Sequence, residues 1–481
     1  MSLNSFGVGM SPSAYVSNAT ARLKQMDHRP LNAFQLQAVL MTAGTVILDG
    51  LDNQMLGLAA PSLIAEWAID RSALGWVFAL GFIGMAFGTI VSGWIGDKFG
   101  RRSALILGVV IFGVATFLTG FSTNLEQVAL LRTIAGIGLG GVPGTAAAMI
   151  SEYTPIKWRT VAVTFGVVCV SIGGILGGVM AALILPSMGW RWLFYIGGVL
   201  PLVFAATLYF ILPESPRFLL SRPNRFEELE RILVKMKLLK SDVSSEEVAA
   251  AKDIEAKTEQ SVATFIIEEG DTDNETSGGI VSSKLLLKGR LLRDTLALCV
   301  AMFSGMFMIY LMFNWAPTLL DSQGFDLAVA SFGLTVFNIG GTIGALIASI
   351  AMIRFGSRPI LIMMAIIGSI VCGALAFIEI SGGQNKFFLL LGLTLLGLSA
   401  SAAQSAMFAV GTNVFPTALR ARGMGVMGAS GRIGAIISAF AGSLLIGWNN
   451  FGFFGVLAIL MLVNCAGFAL IKAHVPKAAN G

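Results

Sequence analysis

Twelve long apolar runs, six on either side of one charged stretch, leave this chain few ways to fold. A helix crossing a bilayer core needs ~20 mostly apolar residues, because no water is present there to bond a bare backbone. The runs cover 34–64, 73–96, 103–122, 127–150, 160–185, 192–212, 295–320, 328–353, 359–380, 387–412, 423–447 and 451–472. Charged residues make up 12% of the 481, against ~25% in a soluble protein. So little charge cannot clothe a wet exterior. The expected fold is an all-α membrane protein with twelve transmembrane helices in two six-helix bundles.

The charges are unevenly placed. Residues 213–293 hold 13 Lys/Arg and 15 Asp/Glu. If the N-terminus is cytoplasmic, 27 of the 32 basic residues fall on the cytoplasmic side; Arg71, Arg191 and Lys386 fall outside, and Arg132 and Arg432 fall within spans. The positive-inside bias selects that orientation. Its divisions are a tail (1–33), a bundle (34–212), a cytoplasmic loop (213–293), a second bundle (294–472) and a tail (473–481), with both termini cytoplasmic. The net charge of +5 therefore reflects loops and gives no reason to expect nucleic acid. The polar first 33 residues carry no cleavable signal, so the first helix is expected to direct insertion. Within the loop, 225–240 has the apolar spacing of an amphipathic helix on the cytoplasmic surface, and the acidic stretch 241–283 reads as a flexible connector. Cys169, Cys299, Cys372 and Cys465 lie far apart in apolar runs and read as small core residues, with no metal spacing and no cofactor motif.

Two landmarks recur in order. GWIGDKFGRR (93–102) is echoed by SIAMIRFGSR (349–358), and Pro155-x-x-x-Arg159 by Pro416-x-x-x-Arg420. A duplicated six-helix unit is the organisation of many secondary transporters, which bind substrate between the repeats near the midplane. The first decapeptide resembles the signature loop of the major facilitator superfamily, through Gly93, Asp97, Gly100, Arg101 and Arg102, and Arg132-x-x-x-Gly136-x-Gly138 resembles that superfamily's second motif. Within it, LDGLDNQMLGLAAPSL, GIGLGGVPG before SEYTP, PESPRFL and FPTALRARGMGVMGASGRIGA resemble the aromatic acid:proton symporters. The resemblance implies the major facilitator fold, a bacterial inner membrane and import of aromatic carboxylates with protons. It also implies gating roles for Gly93, Asp97, Gly100, Arg101, Arg102, Glu152, Arg159 and Arg420. Asn53, Gln54 and Gly144 depart from the pattern, which bears on the substrate.

Asp49 and Asp52, at i and i+3, share one face of the first helix about 50–60° apart. Each costs ~2.5–3.5 kcal/mol to insert, an odd choice for mere structure, although pairing with an arginine to tie helices together is the plain alternative. Arg132 and Arg432 are the corresponding cations, suited by their planar forks to hold a carboxylate; Arg432 is equally well explained by packing. His28 and His474 both lie in tails, so proton coupling falls to Asp49 and Asp52. Asp97, Glu152 and Asp294 near the cytoplasmic edge, and Glu379 near the outer one, read as solvated or loop-pairing charges. Asn338, Gln404 and Trp315 are candidate substrate contacts, with interhelical bonding as the ordinary use of the two amides; Tyr310, Asn314 and Phe408 extend that set.

The expected function is proton-coupled import of a hydroxybenzoate-like or related organic acid by a monomeric carrier whose partners are the acid, protons and the bilayer. Another small solute (vitamin, sugar or dicarboxylate) and efflux by antiport remain open. No nucleophile–base pair or metal cluster speaks for a membrane enzyme, and no G-x-x-x-x-G-K-[ST] loop for an ATP-driven pump.

Overall fold

The computed structural model describes residues 19–20, 22–27, 29–238, 289–378, 385–415 and 419–474. Among them stand twelve helices long and apolar enough to span a membrane. They are α1 (Ala33–Trp67), α2 (Arg71–Phe99), α3 (Arg101–Thr119), α4 (Leu125–Tyr153), α5 (Ile156–Met188), α6 (Trp190–Ile211), α7 (Gly289–Ser322), α8 (Leu327–Phe355), α9 (Ser357–Phe377), α10 (Lys386–Val414), α11 (Arg420–Gly447) and α12 (Asn449–Leu470). Each apolar run falls on its own helix, although 103–122, 192–212, 359–380 and 451–472 run slightly past the helix ends at Thr119, Ile211, Phe377 and Leu470. Asn32 opens α1 with a capping box, accepting from Gln35 N at 2.8 Å while the Gln35 side chain returns to Asn32 N at 3.1 Å.

The duplication is visible in the packing. On α2, a Cβ at Gly84 or Gly88 would stand 2.3 or 2.1 Å from the carbonyl oxygens of Thr133 and Ile137 on α4. On α8, Gly340 and Gly344 meet Thr394 O and Leu398 O of α10 at 1.9 and 2.0 Å. Small residues let helices approach backbone to backbone where no hydrophobic effect drives them together. Both seams lie at the spacing that separates the two decapeptides. So do the turns that follow them: Gly100 (φ 105°) and Gly356 (φ 81°) adopt backbone that other residues avoid.

Between the bundles α1 packs on α7, α2 on α11 and α5 on α8. The end where α1 begins and α2 turns into α3 is the basic end. The linker there forms short helices at Pro216–Leu220 and Phe226–Lys235. The second is shorter than its apolar spacing predicts, and its stripe (Leu229, Ile232, Leu233) joins the core of the N-terminal bundle. The stretch 241–283, His28, Glu379 and Pro416 lie outside the described residues.

Candidate functional site

Asp49 and Asp52 are both buried in the middle of α1, 4% and 2% exposed. Their surroundings differ. Asp52 faces inward within its own bundle, where Arg132 Nη1 of α4 lies 3.3 Å from Oδ2 and 3.5 Å from Oδ1. Thr116 of α3 donates its hydroxyl to Asp52 and accepts from Arg132 Nη2 at 2.6 Å. Thr119, one turn on, accepts from the same nitrogen at 3.2 Å. The guanidinium sits 5.1 Å from the Phe194 ring of α6. One buried cation thus joins α1, α3, α4 and α6. Thr116 and Thr119 are site residues that sequence reasoning missed; two hydroxyls one turn apart on an otherwise apolar helix were the available signal.

Asp49 forms no hydrogen bond or ion pair among the described residues. The charges that act on it are Arg432, from α11 of the other bundle, and Asp52. Arg432 is half-buried and has no carboxylate partner among the described residues; Nη1 lies 3.3 Å from the Met85 thioether of α2. Of the two intramembrane arginines, Arg132 is occupied by Asp52 and Arg432 is available.

A cavity of about 40 Å³ lies between α1, α2, α4 and α7, lined by Asp52, Asn53, Phe78, Phe82, Arg132 and Asn314 among others. That volume holds a few waters and no aromatic ring, so a ring-sized ligand requires the bundles to part. Contacts between them concentrate in the half remote from the basic end. Trp76 meets Phe440, Phe78 meets Trp315 and Phe82 meets Tyr310, with ring centroids 4.8, 5.4 and 4.6 Å apart. Gln54 and Asn338 exchange two amide hydrogen bonds, at 3.1 and 3.0 Å, beside Gly174. A Cβ at Gly174 would stand 2.2 Å from Gln54 Nε2. Toward the basic end Asp97 and Arg420 are exposed, and the Asp97 side chain bonds nothing among the described residues.

Other expected residues are placed as follows. Trp315 is fully buried and donates Nε1 to Ala439 O at 3.1 Å; it belongs to the packed interior and not to the cavity lining. Gln404 is buried within the second bundle, with Nε2 3.1 Å from the Met302 thioether. Gly93 has open space where its Cβ would stand, so close packing does not require glycine there.

At the basic end, Arg101 pairs with buried Glu152 at 3.0 Å, and Ser215 donates to the same carboxylate. Glu152 is therefore a loop-pairing charge and not a solvated one. Its neighbour Glu214, a carboxylate the motif PESPR contains but whose task the sequence does not show, accepts from Arg102 N at 3.0 Å and Ser215 N at 2.8 Å. Its carboxylate fills the space a Cβ at Gly100 would need. Burial pushes the Glu214 pKa up, against the pull of those two donors. Arg159 pairs with Asp27 at 3.2 Å. Asp294 is buried too, accepting from Lys472 N and Ala473 N at 3.3 and 3.4 Å.

Comparison with known proteins places this arrangement. A family model for sugar (and other) transporters matches residues 15–478. The chain is 33% identical to the 4-hydroxybenzoate transporter PcaK of Pseudomonas aeruginosa, over 94% of this chain and 96% of that protein. It is 28% identical to a gallate transporter of Pseudomonas putida, over 95% and 94%. Among solved structures, the inward-open xylose transporter XylE of E. coli superposes with a TM-score of 0.69 at 18% identity, covering 91% of this chain and 96% of that one. The chain therefore belongs to the sugar (and other) transporter family of the major facilitator superfamily, and is a multi-pass inner-membrane carrier and not an enzyme.

Proposed function

We propose that this carrier imports a hydroxybenzoate-like aromatic carboxylate together with a proton by alternating access, with the basic end in the cytoplasm. The names of its relatives favour aromatic acids. The observation that carries the mechanism is Arg432, a cation without a carboxylate partner among the described residues, whose charge reaches the unbonded, buried Asp49 across the interface between the bundles.

A carboxylate substrate needs a cation to hold it and a reason to leave. Protonated Asp49 makes no claim on Arg432, so the arginine is free to take the acid in a two-pronged bond. When the proton departs on the cytoplasmic side, Asp49 competes for Arg432 and favours release. A one-to-one cycle moves an anion and a proton together, so it carries no net charge and is nearly indifferent to the membrane potential. Asp52 acts differently in this scheme: it fixes Arg132 and keeps α1 in place beside Asp49. Asn338 serves the outer closure through Gln54, while Trp315 and Gln404 shape the second bundle behind the site. Gly93, Asp97, Gly100, Arg101, Arg102, Glu152, Arg159 and Arg420 form the inner gate, in which Asp97 gains a partner only when the basic end closes.

The test is uptake of radiolabelled 4-hydroxybenzoate into proteoliposomes under an imposed pH gradient. Wild type should accumulate the acid and lose accumulation with a protonophore. Asp49→Asn should abolish accumulation yet retain counterflow exchange. Accumulation by Asp49→Asn at the wild-type level, or uptake that ignores the pH gradient and needs sodium, defeats the proposal.

A further inference from the structure

The cavity lined by Asp52 contains a buried donor that the transport cycle above leaves unused. Asn314 of α7 is 2% exposed and lines the cavity, and its Nδ2 has no hydrogen-bond partner among the described residues. Such a group is normally satisfied, since a buried donor without an acceptor bears its whole desolvation cost. Its position is also fixed. Gly57 of α1 lies so close that a Cβ there would stand 2.1 Å from Phe313 O and 2.9 Å from Asn314 Cα. The amide therefore cannot swing away with its helix while α1 and α7 remain in contact.

Two more polar groups stand nearby. Asn53 Nδ2, on the same cavity wall, lies 3.5 Å from the Tyr310 hydroxyl, one turn before Asn314 on α7. Asp52 and Arg132 also line the cavity but are engaged with each other; the rest of the wall is apolar, with Leu56, Val77, Phe78 and Phe82. Arg432 is anchored at Met85, seven residues along α2 from Phe78 and thus ~10 Å along the helix axis. Once the bundles part enough to admit it, an aromatic acid whose carboxylate is on Arg432 can lay its ring along this apolar wall and point the opposite end at Asn314.

We infer that Asn314, supported by Asn53 and Tyr310, is a specificity-determining site that reads a ring hydroxyl opposite the carboxylate. Nδ2 donates to the hydroxyl oxygen, and the hydroxyl hydrogen is left for an oxygen of Asn53 or Tyr310. The inference rests on the aromatic-carboxylate reading above and adds which acid is preferred. A site built to bond a hydroxyl rejects the analogue that lacks it, because its own polar groups are then left unpaired. Unsubstituted benzoate presents no oxygen at that end, and 3-hydroxybenzoate presents it off the axis.

The experiment compares kcat/KM for 4-hydroxybenzoate, 3-hydroxybenzoate and benzoate in proteoliposomes, for wild type, Asn314→Leu and Asn314→Ser. Wild type should favour 4-hydroxybenzoate over benzoate by at least ~10-fold. Asn314→Leu keeps the branched shape and removes the donor; the preference ratio should collapse toward one, with the change in the KM of the hydroxylated acid. Asn314→Ser restores a smaller donor and should recover part of the ratio, which remains readable if the leucine variant fails to fold. An unchanged ratio in both variants, or equal wild-type preference for the three acids, overturns the assignment. Wild-type protein that carries none of the three under a pH gradient overturns the aromatic-carboxylate reading itself, and the assignment with it.

Discussion

Replacing Asp52 by asparagine strands Arg132 inside the bundle, and the structure sets the size of the effect. Only 6% of the Arg132 side chain and none of that of Asp52 is accessible. Removing one member of such a pair costs ~3–5 kcal/mol, chiefly because the survivor is a buried charge without its counter-ion. In Asp52→Asn, Arg132 keeps the hydroxyls of Thr116 and Thr119 and the face of Phe194, the last worth up to ~2 kcal/mol when desolvated. The loss should fall near the low end, ~3 kcal/mol. In Arg132→Gln, Asp52 keeps only the Thr116 hydroxyl, and the loss should approach ~5 kcal/mol. The double variant removes both charges and leaves amides able to bond the same hydroxyls, so it should cost less than either single change. The assay is a double-mutant cycle on unfolding free energies in bicelles. Should the two single costs add to within ~0.5 kcal/mol in the double variant, the carboxylate is not the counter-ion of Arg132 and the division of labour on α1 is wrong.

Other consequences follow from the same geometry. Arg432→Lys keeps the charge and loses the fork, so KM for the acid should rise about 10-fold in uptake assays; an unchanged KM would place the carboxylate elsewhere. Asp97→Asn should slow turnover without lowering stability, since its carboxylate is exposed and unbonded here; exchange rates and thermal melts read the two separately, and normal turnover sinks the gating role. Glu214 carries a pKa raised by burial. A raised acid favours folding while protonated, so its contribution is complete below the ordinary glutamate range and is lost as pH rises through the shifted value. Glu214→Gln should flatten that part of a melting-temperature profile, and an identical slope in the variant would contradict it.

The twelve spans were legible because hydropathy alone decides whether a segment can sit in lipid, and the internal repeat because its turns need glycine at matching places. The aspartate pair stood out because carboxylates inside a membrane are rare. Which arginine each one meets was not legible. Arg132 finds Asp52 through Thr116, and that depends on how α3 is rotated about its axis, which an almost wholly apolar helix does not reveal. Trp315 shows the same limit: cavity and core both present apolar faces, so the pattern around an aromatic residue is identical in either place. Gln54 and Asn338 lie in different halves of the chain, and nothing local marks two amides as mutual partners. The PESPR motif was visible, but the fit of Glu214 into the space left by Gly100 exists only once the linker folds back onto the α2–α3 turn.

Alternating access by rocking of two bundles divides every polar contact into two classes. Contacts within a bundle move as one body and keep the same energy in both states, so they cannot link ligand occupancy to conformation. The Asp52–Arg132–Thr116 network is of this kind, since α1, α3, α4 and α6 all belong to the first bundle. Contacts across the interface are made in one state and broken in the other, and only a difference of that sort shifts a population. Gln54 with Asn338 is the bonded instance; Asp49 and Arg432 act on each other across the same interface through charge alone. The two amide hydrogen bonds between Gln54 and Asn338 are worth ~0.5–1.5 kcal/mol each, so opening the half remote from the basic end costs ~1–3 kcal/mol from this source. Coupling free energies between bound ligands are of the same size, ~1–3 kcal/mol. In the proposed cycle, a latch of that strength holds the half remote from the basic end shut against thermal motion yet yields to a proton and an acid binding together.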